Sequence, residues 1–196
     1  MECYGIDFGS QLAGTTVVAC YHDGAITLQA SAKKKNADTF LEQCFQPTAP
    51  QTIVCIDAPL SLPRVYREGT EVQDADYFYR AADRELRAMS PMFLGGLTAR
   101  AMRFAAYTRK RGYAVWETYP AAQARRLGLE RYDYKGGNTS IRAVMEVLAS
   151  EFPCDVPSDL PTWHHVDALL CLLAALRLRA GSHELYGAKD EGVIIV

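Results

Sequence analysis

Four acidic residues, each standing where an apolar run stops or starts, constrain this chain more than any other feature. Asp7 closes Tyr-Gly-Ile-Asp, Asp57 closes Ile-Val-Cys-Ile-Asp, Glu117 closes Ala-Val-Trp-Glu, and Asp167 lies near the start of a long apolar segment. Carboxylates are rarely buried unless they are paired or bind a metal. Three strand-like runs ending in acids, plus a helix carrying a fourth, predict elements that bring charge to one edge of a sheet. Each acid also has a structural alternative. Asp7 and Asp57 suit turns, Glu117 suits a partly buried ion pair with an arginine, and Asp167 suits the first turn of a helix.

The element order follows from periodicity and breakers. Residues 2–8, Thr15–Tyr21 and Ala25–Ser31 read as three strands, the last two joined by the hairpin signal His22-Asp23-Gly24. Phe40, Leu41, Cys44 and Phe45 give helical spacing over 38–46. Thr52–Asp57 is nearly all apolar, as a central strand should be, and stops before Pro59. Helices are expected around Tyr77–Ala88, 97–111, from Pro120 onward, 139–150 and 163–179, with a fifth strand at Tyr113–Thr118 and a short one at Gly192–Val196. On the Tyr77–Ala88 helix, Arg80, Asp83, Arg84 and Arg87 fall at positions that share a face.

At 196 residues the chain is read as one domain, 1–196, with a helical insertion around 60–112. The net charge of −2 hides an uneven distribution. Residues 64–142 hold 15 basic against 9 acidic residues, a local balance of +6, and the remainder carries −8. A basic middle suits neutralisation of phosphates, though solvated basic helix faces would look the same. Six scattered cysteines without a Cys-x-x-Cys pair predict free thiols rather than a disulfide frame or zinc site. No apolar run reaches the ~18 residues of a membrane span and no signal-peptide pattern opens the chain, so a cytoplasmic location is expected.

Three antiparallel strands, helix, strand, helices, strand, helix is the order of a ribonuclease H-like fold. The expected architecture is a mixed sheet of five or six strands, with a three-strand antiparallel meander and flanking helices. The motifs Gly5-Ile6-Asp7, Ile56-Asp57-Ala58-Pro59-Leu60 and Arg80-Ala81-Ala82-Asp83-Arg84-Glu85-Leu86-Arg87 belong together with Glu117-Thr118-Tyr119-Pro120, Tyr134-Lys135, Asp167-Ala168-Leu169 and Glu191-Gly192. In this order they resemble the domain of unknown function 429 family, whose members are regarded as ribonuclease H-like nucleases. Val193 departs from that pattern, where an aromatic residue is common.

The resemblance implies that the first and fourth strands are neighbours, that Asp7 and Asp57 meet there, and that the late helix adds Asp167. It further implies a metal-dependent nuclease in which Asp7, Asp57, Glu117 and Asp167 are catalytic and hold divalent cations, two Mg²⁺ or Mn²⁺ ions. Arg80, Arg84, Arg87 and Lys135 are the candidates for binding a nucleic-acid substrate. His164, three residues before Asp167, is read either as a neighbour of the cluster or as a helix-start histidine with a local hydrogen bond. Oligomeric state is left open, a homodimer included.

Two other readings compete. Gly5-Ile6-Asp7-Phe8-Gly9-Ser10 also resembles the first phosphate hairpin of actin-like and sugar-kinase ATP-binding proteins. A second hairpin of that kind needs backbone N–H donors after its Asp, and Pro59 offers none. The third reading is a catalytically inactive domain that binds nucleic acid or a partner.

Overall fold

The computed structural model describes residues 2–47, 52–68, 76–157 and 159–196. Among these residues seven strands form one mixed sheet: β1 (Cys3–Asp7), β2 (Val17–His22), β3 (Ala25–Ala30), β4 (Thr52–Asp57), β5 (Tyr113–Thr118), β6 (Leu185–Tyr186) and β7 (Ile194–Ile195). Their order across the sheet is β3-β2-β1-β4-β5-β7-β6. Strands β1 to β3 make the expected antiparallel meander, and Asp23 and Gly24 take the positive φ values that a two-residue hairpin turn requires. Strands β1, β4, β5 and β7 run parallel, with β6 antiparallel at the edge. The sheet thus has more strands than the five or six expected, because the two-residue β6 is too short to announce itself by alternation.

Among the described residues eight α-helices flank the sheet: α1 (Ala37–Cys44), α2 (Val65–Glu68), α3 (Ala81–Leu86), α4 (Pro91–Leu94), α5 (Gly96–Arg109), α6 (Pro120–Arg126), α7 (Ile141–Leu148) and α8 (Trp163–Ala180). Their ends follow ordinary capping chemistry. The Asn36 side chain accepts from the N–H groups of Asp38 and Thr39, Ser90 caps α4 ahead of Pro91, and Pro120 opens α6. Helix α8 closes on Gly181 at φ 71°, where Ser182 N–H reaches Arg177 C=O and Gly181 N–H reaches Leu178 C=O, a Schellman ending. The helix expected over Tyr77–Ala88 shrinks to Ala81–Leu86. Arg80 becomes its N-cap and Arg87 its left-handed C-cap at φ 54°, so the four-residue charged face does not form. Residues 69–75, part of the Pro- and Gly-punctuated region before that helix, lie outside the described residues.

Strand alternation divides the core between the two faces of the sheet. Cys3 and Cys55 face α7 and α8, whereas Tyr4, Ile6, Val54, Ile56, Tyr113 and Val115 face α5 and α1. Helix α8 is buried from Val166 through Leu176 and lies directly on β1. Gly5 permits this. A Cβ there would stand 2.0 Å from Leu172 N and 2.4 Å from Ala168 O, so only a residue without a side chain lets the helix backbone come so close. That approach carries the first turn of α8, and with it Asp167, to the carboxyl ends of β1 and β4. All six cysteines are free, and among the described residues no helix is long and apolar enough to cross a membrane.

Candidate metal centre

Parallel register brings the first two acids together. Asp7 ends β1 directly beside Asp57, which ends β4, and both project to the α8 face by the alternation that puts Cys3 and Cys55 there. Asp167, one turn into α8, comes down onto them. Ligand oxygens of Asp7, Asp57 and Asp167 all lie within 4.8 Å of one another. Asp7 and Asp167 are buried and Asp57 partly so.

A lysine, a histidine and a phenol flank this cluster. Lys135 Nζ lies 2.7 Å from Asp167 Oδ2, and the Tyr134 hydroxyl donates to Asp167 Oδ1 at 2.5 Å. The chain delivers both through a tight turn in which Asp133 and Lys135 adopt positive φ and Gly136 N–H bonds back to Asp133 C=O. The Tyr134 ring stands edge-on to Trp163, at the start of α8. On the other side, His164 Nδ1 is 2.7 Å from Asp7 Oδ2. Of the two histidines it is His165 that makes the local helix-start contact, to Thr162 Oγ1 at 2.9 Å.

These contacts leave the charges unequally compensated. Burial raises the Asp7 carboxyl above its ordinary value; the His164 bond pulls it back, and Asp167 pushes it up again. Asp57 is raised well above the carboxylate range by burial and then by Asp7 and Asp167. Among the described residues no group hydrogen-bonds its carboxylate. Burial works against the Lys135 charge, but Asp167, Asp57 and Asp7 outweigh it and lift its pKa. The protein has therefore assembled three carboxylates in a poorly solvated place and supplied a direct partner for only two of them. Such a donor set, all hard oxygen, fits Mg²⁺ or Mn²⁺ rather than a soft metal.

Glu117 does not join the cluster. In the β4–β5 register it pairs with Ile56, not Asp57, and a one-residue offset turns its side chain to the opposite face. There both of its oxygens are bonded to Arg80, at 2.7 Å from Nη1 and 2.6 Å from Nη2. Arg80, with no exposed surface, also bonds both oxygens of Asp83 and Ser61 Oγ. Burial raises the Glu117 pKa above its ordinary value, and Arg80 only partly opposes it. The salt-bridge alternative is thus the one realised for Glu117. Arg80, expected at a substrate surface, is instead sealed inside the protein.

The buried quartet has a positional consequence. Glu117 Oε2 accepts from Leu60 N–H, and Glu191 accepts from the N–H groups of Arg64 and Ala81. Together these bonds pin the loop that follows Asp57 to β5, α3 and the C-terminal segment. Gly192 completes the fit, since a Cβ there would meet Ser61 Oγ at 2.2 Å. Arg84 and Arg87 are exposed. Arg84 bonds Asp76 at 2.7 Å and covers the Tyr79 ring at 3.8 Å.

The three aspartates expected to meet do converge, and Lys135, expected to bind substrate, lies against Asp167; the contact of Tyr134, beside Lys135 in the same motif, was not anticipated. The sequence left His164 open between the cluster and a local helix-start role, when its i, i+3 spacing to Asp167 was the signal for the cluster.

No family model matches the chain, so the family suggested by the motifs is not shown, and no curated protein matches it. Among solved structures, the chain is similar to T. thermophilus RuvC in complex with Holliday junction substrate, at 16% identity, covering 93% of this chain and 97% of that chain, with a TM-score of 0.39.

Proposed function

We propose that this chain is a divalent-metal-dependent nuclease of ribonuclease H-like architecture that hydrolyses phosphodiester bonds. The observation that carries the reading is the convergence of Asp7, Asp57 and Asp167, with ligand oxygens within 4.8 Å of one another. The sheet order with β1 beside β4, and the late helix laid across them, supports the fold assignment. Bound at these acids, Mg²⁺ or Mn²⁺ ions would supply an activated water and charge stabilisation for the leaving oxygen.

The remaining work falls to the chain's own residues. Asp57, the acid without a hydrogen-bonded partner, is the most available ligand. His164 fixes the rotation of the Asp7 carboxylate, and Tyr134 and Lys135 fix that of Asp167, as neighbours of metal-binding groups commonly do. The half-exposed ammonium of Lys135 is placed to meet a phosphate oxygen brought to the acids. Of the arginines expected at the substrate, Arg84 and Arg87 are exposed, whereas Arg80 and Glu117 hold the loop after Asp57.

The test is cleavage of labelled single-stranded and duplex DNA, RNA, hybrid and junction substrates with Mg²⁺ or Mn²⁺. Wild type is run beside Asp57→Asn and an EDTA control. Metal-dependent cleavage that disappears in a folded Asp57→Asn protein is the expected result. Cleavage that survives the substitution overturns the assignment of the site, and no cleavage of any substrate overturns the activity.

A further inference from the structure

A cavity of about 280 Å³ opens at the carboxyl ends of β1, β4 and β5, on the far side of Asp57 from α8. It shares Asp57 with the acid cluster, so cavity and cluster adjoin at the strand ends. Its walls are apolar, formed by Phe8, Pro59, Leu94, Leu97 and Ile194. Two further carboxylates reach it, but Arg80 bonds both Asp83 and Glu117, so neither offers a free charge. No lysine or arginine lines it among the described residues. A phosphate finds no partner in such a place. A flat, uncharged group does.

The rim carries a second feature. Helix α4, which contributes Leu94 to the wall, also bears Phe93, and Phe93 stacks on Phe78 with ring centroids 5.5 Å apart and planes 30° apart. Both rings are largely exposed, at 63% and 52%. Ser90, the cap of α4, donates its hydroxyl to Phe78 C=O and so holds the two rings on one support. Tyr79 meets Phe93 edge-on, with the Arg84 guanidinium lying over the Tyr79 ring. Exposed aromatic rings interleaved with arginine are what unpaired nucleic-acid strands bind, because every base has a stacking face and every linkage a charge.

Resting on the nuclease reading, we propose that the substrate is unpaired at the cleavage site. One nucleobase enters the cavity beside Asp57, and a neighbouring base stacks on the Phe78–Phe93 platform. The cavity lies at or below the lower end of the ~300–1,000 Å³ range of ligand pockets. It accepts one base freed from its stack, as enzymes that extrude a nucleotide arrange, and has no room for a base pair with its neighbours. The lining selects flatness over sequence, so discrimination among the four bases is weak.

The experiment compares three otherwise identical labelled duplexes: fully matched, carrying one bulged nucleotide, and carrying an abasic residue at the bulge. Affinity is read by fluorescence anisotropy with Ca²⁺ at the acids, and cleavage of the same duplexes is read in parallel with Mn²⁺. Stacking contributes about 1–3 kcal/mol per base. Wild type is therefore expected to bind the bulged duplex about tenfold more tightly than the matched or abasic one. Leu94→Trp, which fills the cavity, removes the difference between bulged and abasic; Phe93→Ala weakens binding of the bulged duplex about tenfold. Equal wild-type affinity for bulged and abasic duplexes overturns the proposal without recourse to any variant. Retention of the difference in a folded Leu94→Trp protein also overturns it. Cleavage without base dependence sinks this inference alone, and base-dependent binding without cleavage sinks the nuclease reading alone.

Discussion

Replacing Asp57 by Asn should stabilise the metal-free protein while removing its response to metal. Three carboxylates whose oxygens lie within 4.8 Å repel one another. At an effective dielectric of about 20, each ionised pair at that distance costs about 3.5 kcal/mol. Lys135 and His164 offset part of this for Asp167 and Asp7, but neither bonds Asp57. A net gain of about 1–3 kcal/mol remains for the neutral amide, an increase of roughly 2–12 °C in Tm for a chain of this size. The sign with pH is fixed as well. The folded Asp57 carboxyl titrates well above its unfolded value of roughly 4. The wild-type protein therefore loses stability as pH rises from there through the folded pKa, and Asp57→Asn flattens that slope. The assay is thermal unfolding in EDTA across pH 4–9, repeated with millimolar Mg²⁺ or Mn²⁺. Wild type should gain with metal, by about 2.7 kcal/mol where the ion stands at 100 times its Kd, and the variant should not. A variant less stable than wild type in EDTA would refute the reasoning and make Asp57 a turn-forming residue.

Other substitutions probe the supports of the site. Arg80→Met leaves Glu117 and Asp83 buried without a partner and should cost about 3–5 kcal/mol in chemical denaturation; a loss below 1 kcal/mol would mean that the quartet does not hold the loop. Gly5→Ala sets a methyl against the backbone of α8 and should cost about 3 kcal/mol or more in the same assay, since neither strand nor helix yields freely. Asp38 is paired with Arg100 and Arg103. Burial would raise its pKa, but Arg100 and then Arg103 bring it below the ordinary value. Its contribution is therefore present above the unfolded pKa near 4 and is lost as pH falls through the folded one. Asp38→Asn should lower stability at pH 7 by about 1–3 kcal/mol and narrow the gap to wild type at pH 2, as unfolding curves at the two pH values would show.

Much of the site was legible because strand ends are legible. Thr52–Asp57 and Tyr113–Thr118 have the bounds read from the sequence, and β1 ends at Asp7 within one residue of its expected limit. What periodicity does not carry is register. Glu117 ends an apolar run as Asp57 does, yet the pairing of Ile56 with Glu117 sends the two side chains to opposite faces. Arginine raised a parallel difficulty. Arg80 has the spacing of a solvated helix face, and only the start of α3 at Ala81 reveals it as a buried cap that neutralises two acids. The four-residue helices α2 and α4 and the two-residue β6 are shorter than the windows in which helical or alternating patterns declare themselves.

The most direct test of the metal centre is anomalous diffraction from crystals of the full chain equilibrated with millimolar Mn²⁺. The account predicts manganese bound by carboxylate oxygens of Asp7, Asp57 and Asp167 at about 2.0–2.3 Å, with Glu117 still bonded to Arg80. Absence of manganese from the three aspartates, or its capture by Glu117 with Arg80 displaced, would contradict it.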